Sequence, residues 1–333
     1  MGGSSLNFAA MLTVTVMLSP AGPAQTAPLP LKSYVQRSAD GSWIDWYLGR
    51  VGASGETLIF RSGYKANQGI RAQTENDADM DGRRRLLRML GEQSTHDGIP
   101  IRESAPVSGS LTAWLDSIKG HNPTETGSGM RTSFLIPLWG GVGPDGDVTV
   151  MKSVLMPLAP APVAAAGGDP AAPPEAASPD VSGGGPASGL VIDATGLQNP
   201  APSFFPRVLT GTGEVLYSYQ SAEIEYAYFR GLAAYATLDP SGEPGPPVLS
   251  PREGHQPIRV TATGVAGAAR SDLIVSAEDG RRIAAAAAAA PFLRECRVLV
   301  LMPPPPPPPR PAQPRRKAPL PPASPPAADP NRH

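Results

Sequence analysis

The sequence predicts an α+β fold with two small modules of mostly antiparallel sheet and packed helices. Apolar runs typical of strands recur along the chain, and between them lie longer stretches with an apolar residue at every third or fourth position. The chain of 333 residues contains 42 prolines and 36 glycines, almost a quarter of its length. They cluster in segments that cannot bury a core, so we expect compact modules joined by a Pro/Ala/Gly linker and followed by a disordered polyproline tail.

We place the N-terminal module at residues 32–158. Two strands are predicted first, and a long helix follows whose basic end suits the carboxyl terminus of a helix. Another strand, a short helix and a hairpin complete the module. In chain order, these elements come from "SWIDWYLGRV", "ETLIFRSG", "NQGIRAQTENDADMDGRRRLLRMLGEQ", "GIPIRESAPVSG", "SLTAWLDSIKG", and the pair "RTSFLIPLWG" and "GDVTVMKSVLMPL" around "GGVGPDG".

We place the C-terminal module at residues 188–302, where strands alternate with helices. The first predicted helix has Ser221 as its N-cap, and the second has Ser276 as its N-cap with Asp279 in its first turn. In chain order, the elements come from "GLVIDATG", the hairpin "RVLTGTGEVLYS", the helix "SAEIEYAYFRGLAAYA", the strands "QPIRVTATGV" and "SDLIVSA", the helix "SAEDGRRIAAAAAAAPFL", and the closing strand "CRVLVLM".

Three further segments flank the modules. Residues 1–24 carry an apolar run from Phe8 to Leu18 followed by small residues, the pattern of a secretory signal peptide. We therefore expect a periplasmic or secreted protein of the bacterial cell envelope. Residues 159–187 form the linker, and residues 303–333 form a Pro-rich tail that carries Arg310, Arg315, Arg316 and Lys317. A tail of this kind favours a semi-rigid cationic spacer over a specific peptide ligand.

Charge and cysteine content exclude several classes of function. The 28 Lys and Arg residues balance 29 Asp and Glu residues, so no overall basic field would collect nucleic acid. A single cysteine, Cys296, excludes an intrachain disulfide and a cysteine-based zinc site. We expect this thiol to be a small buried side chain. The four histidines have no metal-ligand spacing, so no metal or cofactor is predicted.

Four carboxylates are candidates for catalysis because they lie at predicted strand ends or helix starts: Asp193, Asp272, Glu278 and Asp279. Acid/base chemistry on a substrate requires such groups to be brought close together. Nothing in their spacing does so, and helix capping explains Glu278 and Asp279. We therefore assign no catalytic, cofactor-binding or metal-binding residue and predict that the protein is not an enzyme. A carboxylate-dependent hydrolase remains an alternative.

A cell-wall or polymer-binding module is another alternative, because aromatic side chains commonly contact sugars and polymers. The candidates are Trp43, Trp46, Trp114 and Trp139. Since Trp43 and Trp46 fall on opposite faces of one predicted strand, we expect at least one of them in the core.

Four segments carry a family resemblance: "LVIDATGLQNPAPSFFPRVLTGTGEVLYS", "EYAYFRGLAAYA", "RSDLIVSAEDGRRI" and "FLRECRVLVLM". They resemble the second module of poorly characterised bacterial envelope proteins related to the flagellar-assembly T type and to small outer-membrane lipoproteins. Within the N-terminal module, "WIDWYLGRVGASG", "DGRRRLLRML" and "DVTVMKSVLMPL" are similar to the first module of that family.

The resemblance implies a non-enzymatic exported envelope protein, an accessory or structural component of a flagellum-like or other surface assembly. Together with the features of the leader and the tail, it leads us to expect partners among envelope proteins or peptidoglycan, contacted through the two modules and the basic tail. Neither a specific nucleic acid nor a transmembrane helix after removal of the leader is expected.

Overall fold

The computed structural model describes residues 30–58, 68–126, 129–140, 149–155, 157, 186–239 and 252–305. The predicted leader, and most of the predicted linker and tail, lie outside these residues. The chain divides into two compact units. The N-terminal module lies within Tyr34–Ala159. The C-terminal module lies within Pro160–Pro303 and also contains the first strand, β1 (Leu31–Ser33).

In the described part of the N-terminal module, an antiparallel sheet packs with helices. The strands are β2 (Val35–Arg37), β3 (Trp43–Asp45), β4 (Arg50–Leu58), β5 (His121–Glu125) and β6 (Gly129–Pro137), in the sheet order β2-β3-β4-β6-β5. The helices are α1 (Gln68–Gly91), α2 (Ala105–Ser117) and α3 (Val150–Leu155), with a short 3-10 turn at Ile101–Glu103.

Helix α1 lies very close to strand β4, and two glycines make this possible. A Cβ atom on Gly55 would lie 1.9 Å from the Ala78 carbonyl oxygen and 2.5 Å from the Gly82 nitrogen. Gly82 in turn lies under the ring of Phe134 from β6. The basic end of α1 is held within the module, since Arg85 pairs with Asp81 at 2.9 Å and Arg88 pairs with Asp40 at 2.8 Å.

Three element predictions for the N-terminal module are wrong. The predicted strand "SWIDWYLGRV" contains the short strand β3, a turn at residues 46–49 and the start of β4. The predicted strand "GIPIRESAPVSG" is a 3-10 turn followed by the start of α2, whose buried Val107, Leu111 and Leu115 recur every four residues. The predicted second hairpin strand "GDVTVMKSVLMPL" contains the short helix α3, which buries Val150, Met151 and Val154. The turn "GGVGPDG" lies largely outside the described residues.

The C-terminal module contains a mixed sheet with the order β1-β10-β13-β7-β11-β12-β8-β9 among its described residues. Its remaining strands are β7 (Gly189–Asp193), β8 (Val208–Thr210), β9 (Val215–Tyr217), β10 (Ala234–Leu238), β11 (Pro257–Ala266), β12 (Asp272–Val275) and β13 (Val298–Leu301). Its helices are α4 (Ile224–Arg230) and α5 (Ala277–Ala289).

The centre of this sheet is parallel. Strands β10, β13, β7 and β11 all run in one direction, and β13 is buried along its whole length. Continuous burial fits its uninterrupted apolar sequence "VLVL", because strands covered on both faces do not alternate. The α+β class is confirmed. The prediction of a mostly antiparallel sheet fits the N-terminal module, whereas the sheet of the C-terminal module is mixed.

The predicted helix at "SAEIEYAYFRGLAAYA" is too long. Helix α4 has Glu223 rather than Ser221 at its N-cap and ends at Gly231, whose φ of 68° favours glycine. The residues that follow form β10, buried at Ala234, Tyr235 and Ala236. The hairpin, the strands "GLVIDATG" and "CRVLVLM", and the second helix with its Ser276 cap are confirmed.

Candidate functional site

Asp193 forms a local turn at the end of β7. Its Oδ1 accepts hydrogen bonds from the backbone N–H of Thr195 at 2.9 Å and from the Thr195 hydroxyl at 2.6 Å. An aspartate that binds the backbone two residues later is the usual stabiliser of a chain reversal. These two hydrogen bonds give the Asp193 carboxylate a structural role in the turn that follows β7.

Asp272 is buried at the start of β12 and forms an ion pair with Arg207. The same carboxylate packs against Gly267, where a Cβ atom would lie 2.9 Å from Asp272 Oδ2. The φ of Gly267 is 76°, so both conformation and space favour glycine at this bend between β11 and β12. The Asp272 carboxylate therefore connects this bend to Arg207, the residue directly before β8.

Asp193 and Asp272 do not share one pocket. Asp193 is the register partner of Thr261 on β11, and Asp272 is the register partner of Ala266 on the same strand. Five residues of strand separate the two positions, which corresponds to roughly 17 Å. Carboxylates that act together in glycoside hydrolysis lie within about 10 Å of each other. The strand register therefore opposes a shared acid/base site.

Asp279 caps helix α5 together with Ser276. The Ser276 hydroxyl accepts a hydrogen bond from the Asp279 N–H at 3.0 Å and donates one to Asp279 Oδ2 at 2.8 Å. Asp279 also pairs with Arg282 one turn later at 2.7 Å. Glu278 is exposed in the same first turn. Both acidic residues lie where negative charge stabilises a helix, as the sequence predicts.

Two of the four tryptophans pack on glycines. A Cβ atom on Gly52 would lie 2.5 Å from the ring of Trp43, and one on Gly49 would lie 2.4 Å from the ring of Trp139. Trp46 is fully buried and donates its ring N–H to Gln36 at 3.0 Å, which confirms that at least one of these side chains belongs to the core. Trp114 is half-buried on α2. These contacts give Trp43, Trp46 and Trp139 structural roles.

The C-terminal module contains a buried polar cluster that the sequence analysis did not predict. Buried Arg252 donates to the carbonyl oxygens of Gly231 at 3.0 Å and Cys296 at 3.4 Å. The hydroxyl of buried Tyr217 donates to the carbonyl of Leu232 at 2.7 Å. Because these residues are far apart in sequence, no local motif could reveal the cluster, which fixes the bend between α4 and β10.

Burial dominates the electrostatics of this cluster. It raises the pKa of the Cys296 thiol to about 11 and raises the pKa of Tyr217 well above its usual value. It lowers the pKa of Arg252 to about 10. Each shift follows from the cost of placing a charge in the protein interior. A buried thiol with a raised pKa is a poor nucleophile, and the predicted burial of Cys296 is confirmed.

One end of the mixed sheet gathers chain segments that are distant in sequence, and we call it the exit end. It is formed by Pro30, Asp193, Leu238 and Met302. Pro30 precedes β1, and its carbonyl accepts a hydrogen bond from Asp239 N–H at 2.8 Å. The Met302 N–H donates to the Ala236 carbonyl at 2.7 Å. Asp193 is the register partner of Leu301.

The chain therefore enters β1 and leaves β13 at the same end of the sheet, one on each side of β10. From the strand spacing and the two-residue offset along β10, Pro30 and Met302 lie roughly 12 Å apart. Leu238 is exposed between them, with 42% of its surface accessible. The predicted leader segment and the predicted basic tail thus attach to this module side by side.

Across the described residues, no group of three or more His, Cys, Asp or Glu side chains is placed to hold a metal ion. None of the helices in the same ranges is long and apolar enough to span a bilayer.

Residues 189–304 match the family model described as the second domain of Treponema pallidum Tp0624. A search of curated proteins found no match. The C-terminal module is similar to a poorly characterised bacterial domain family. The matched range coincides closely with the C-terminal module, which we placed at residues 188–302. The finer relationship to flagellar-assembly T proteins and envelope lipoproteins stays a prediction.

Proposed function

We propose that this chain is a non-enzymatic, exported protein of the bacterial cell envelope that serves as an accessory or structural component of a surface assembly. The observation that carries the proposal is the placement of the acidic residues. Asp193 and Asp272 are roughly 17 Å apart along β11 and are engaged in local structure, as is Asp279. The carboxylates that are the best candidates for catalysis therefore stabilise the fold.

Other features support an envelope location. The apolar run from Phe8 to Leu18 followed by small residues is typical of an export signal. The similarity of the C-terminal module to a domain of a bacterial protein agrees with a bacterial source. In this proposal the two modules act as rigid units, and the basic tail that follows Met302 contacts envelope components.

Cell fractionation tests the location directly. Native cells are separated into cytosolic and envelope fractions, and a Leu12→Arg variant interrupts the apolar run. The matched control, Ser5→Arg, adds the same charge outside the run. We expect the native chain and the Ser5→Arg variant in the envelope fraction and the Leu12→Arg variant in the cytosol. A native chain found only in the cytosol would overturn the proposal.

A pull-down tests the structural role. The full chain and a chain ending at Met302 are used as baits in an envelope extract. We expect envelope proteins or peptidoglycan fragments on the full chain, with reduced amounts of tail-dependent partners on the shortened chain. Recovery of no envelope component by either bait would argue against an accessory role, even for a protein located in the envelope.

A further inference from the structure

One side of the sheet in the N-terminal module carries an accessible apolar row, and we call this side the outer face. Trp43, Gly52 and Leu135 are register partners on β3, β4 and β6, so their side-chain positions lie on the same side of the sheet. Gly55, which packs against helix α1, lies on the opposite side. Leu135 has 53% of its surface exposed, and Trp43 is half-buried. The row is therefore available for contact with a partner.

The ring of Trp43 is held in position before any partner binds. It lies over Gly52, where a Cβ atom would be 2.5 Å from two ring atoms, so the indole reaches from β3 onto β4. The next residue of the row is Leu135, and the two side chains together cover three neighbouring strands. Because the ring is already fixed by its contact with the backbone, binding costs little side-chain entropy.

Polar side chains flank this apolar row on both sides. Two residues along the strands in one direction, Asp45 and Arg50 are register partners. Two residues in the other direction, Ser54 is the partner of Ser133, and His121 on β5 lies opposite Ser133. Residues two apart on a strand are separated by roughly 7 Å, so the apolar strip is narrow and has polar groups along both edges.

The dimensions of the strip favour a polysaccharide over a protein partner. A stable protein interface buries about 800 Å² on each partner around an apolar core, which is far broader than one row of side chains. A sugar ring has a narrow apolar C–H face and hydroxyl groups around its edge, so it can stack on Trp43 while its hydroxyls bond to Ser133 and His121. The row from Arg37 to Leu135 crosses four strands, roughly 14 Å, which accommodates a few linked sugar rings.

The charges beside the strip favour a glycan that carries carboxylate groups. Exposed Arg37 is the register partner of Trp43, and Arg50 has 43% of its side chain exposed. The neighbouring carboxylate of Asp45 is buried, accepts hydrogen bonds from two backbone N–H groups of the turn that follows, and lies 3.9 Å from Arg50. Two guanidinium groups therefore face solvent beside one carboxylate held by the backbone, an arrangement that attracts an anionic partner.

We propose that the outer face binds a carboxylate-bearing polysaccharide of the cell wall, with a sugar ring stacked on Trp43 and an acidic group paired with Arg37. The inference rests on the proposed envelope function, and it names the partner class and the binding surface of the N-terminal module. Binding leaves the contact of Gly55 with α1 unchanged, because that contact lies on the other side of the sheet.

Co-sedimentation of the full-length chain with purified, protein-free peptidoglycan tests the proposal. Trp43→Leu keeps an apolar side chain over Gly52 but removes the ring. The matched control, Trp114→Leu, replaces another half-buried tryptophan, on α2. We expect Trp43→Leu to weaken binding about tenfold or more and Trp114→Leu to weaken it less than about threefold. The basic tail is present in every variant, so a difference between the two reports the outer face. Equal losses, or no binding by the unmodified chain, would overturn the proposal.

A charge variant provides a second test that leaves the packing of the sheet intact. Arg37→Gln removes the exposed cation beside Trp43, and Arg84→Gln, the control, removes an exposed cation from α1. We expect Arg37→Gln to weaken binding about threefold or more, and by less in about 0.5 M salt, where the charge is already screened. Arg84→Gln should leave binding unchanged. The same loss in both variants would contradict the pairing of Arg37 with an acidic group.

Two further measurements separate this partner from others. Cellulose, a neutral glycan, should bind at least about tenfold more weakly than peptidoglycan, and equal binding would overturn the requirement for carboxylates. In sedimentation velocity we expect a monomer. A dimer that Trp43→Leu dissociates would show that a second copy of the chain occupies the outer face, and would overturn the proposal. None of these results would contradict the envelope location, which fractionation tests separately.

Discussion

The cores of the two modules are packed in different ways. In the N-terminal module, a long helix lies against an antiparallel sheet, and contact depends on missing side chains at Gly55 and Gly82. In the C-terminal module, continuous apolar strands such as β13 fill the centre of a mixed sheet, and a buried polar cluster around Arg252 fixes the adjoining bend. One core relies on close backbone approach, and the other on buried apolar strands with a few polar anchors.

Each module contains its own probe. All four tryptophans lie in the N-terminal module, and the single cysteine lies in the C-terminal module. Tryptophan fluorescence therefore reports unfolding of the first module alone, and labelling of Cys296 reports opening of the second. The following changes separate the two kinds of core.

Gly55→Val should have the largest effect. The added side chain would collide with the backbone of α1 at Ala78 and Gly82, which cannot move without displacing the helix. We expect the free energy of unfolding of the N-terminal module to fall by about 3 kcal/mol or more, measured by urea unfolding with tryptophan fluorescence. Labelling of Cys296 should be unchanged.

The control for this substitution is Gly109→Ala on α2, where no atom lies within 4 Å of the added Cβ. Because alanine favours a helix more than glycine does, we expect a gain of about 0.5–1 kcal/mol. A small effect of Gly55→Val, comparable to that of the control, would refute the close-approach account of the N-terminal core.

High pH should act mainly on the C-terminal module. The pKa of Cys296 is raised to about 11 in the folded state, so the folded protein holds this proton more tightly than the unfolded chain does. The resulting stability is complete below about pH 9 and is lost as pH rises toward 11, by up to about 3 kcal/mol. The raised pKa of Tyr217 continues the loss at higher pH.

Arg252 has the opposite effect on the free energy of unfolding. Burial lowers its pKa to about 10, so above that pH the folded state no longer holds a buried charge that destabilises it. The steepest decline should therefore fall between pH 9 and 10. Guanidinium unfolding followed by circular dichroism measures it, and Cys296→Ala should flatten this part of the profile. A decline of equal steepness in the Cys296→Ala variant would show that the thiol is not responsible.

Substitutions at the helix caps should have the smallest effects on the stability of the two modules. The Ser276 hydroxyl accepts a hydrogen bond from Asp279 N–H at the start of α5, whereas the Ser104 side chain at the start of α2 makes no capping hydrogen bond. We expect Ser276→Ala to destabilise the C-terminal module by about 1 kcal/mol and Ser104→Ala to change the N-terminal module by a few tenths. Thermal unfolding of both variants measures the difference. Equal effects would mean that the Ser276 bond contributes nothing specific.

The difference between the two cores also explains which elements could be predicted from sequence. The strands "GLVIDATG" and "CRVLVLM" were predictable because strands buried on both faces have continuous apolar runs. The segment "GDVTVMKSVLMPL" has a similar apolar character, yet it forms the short helix α3, because a short buried run fits either structure until its neighbours decide. Gly231 is a residue type that often ends a helix, but the apolar residues on both sides of it favoured a longer helix than α4.

The roles of the acidic residues were partly predictable. The turn at Asp193 and the cap at Asp279 are local and follow from short-range sequence patterns. The contacts of Asp272 with Arg207 and Gly267 and the cluster around Arg252 were not predictable, because their partners meet only after the strands have paired. The exit end likewise required the register of β1 and β13 on β10.

The most direct test of the account measures the stability of four alanine variants at the acidic residues. Removing a carboxylate that builds the fold lowers stability, whereas removing a catalytic carboxylate leaves stability unchanged or raises it. We expect losses of about 1–2 kcal/mol for Asp272→Ala, about 1 kcal/mol for Asp279→Ala, about 0.5–1 kcal/mol for Asp193→Ala, and no more than about 0.3 kcal/mol for Glu278→Ala. A gain in stability for Asp193→Ala or Asp272→Ala would contradict the structural assignment and restore that residue as a catalytic candidate.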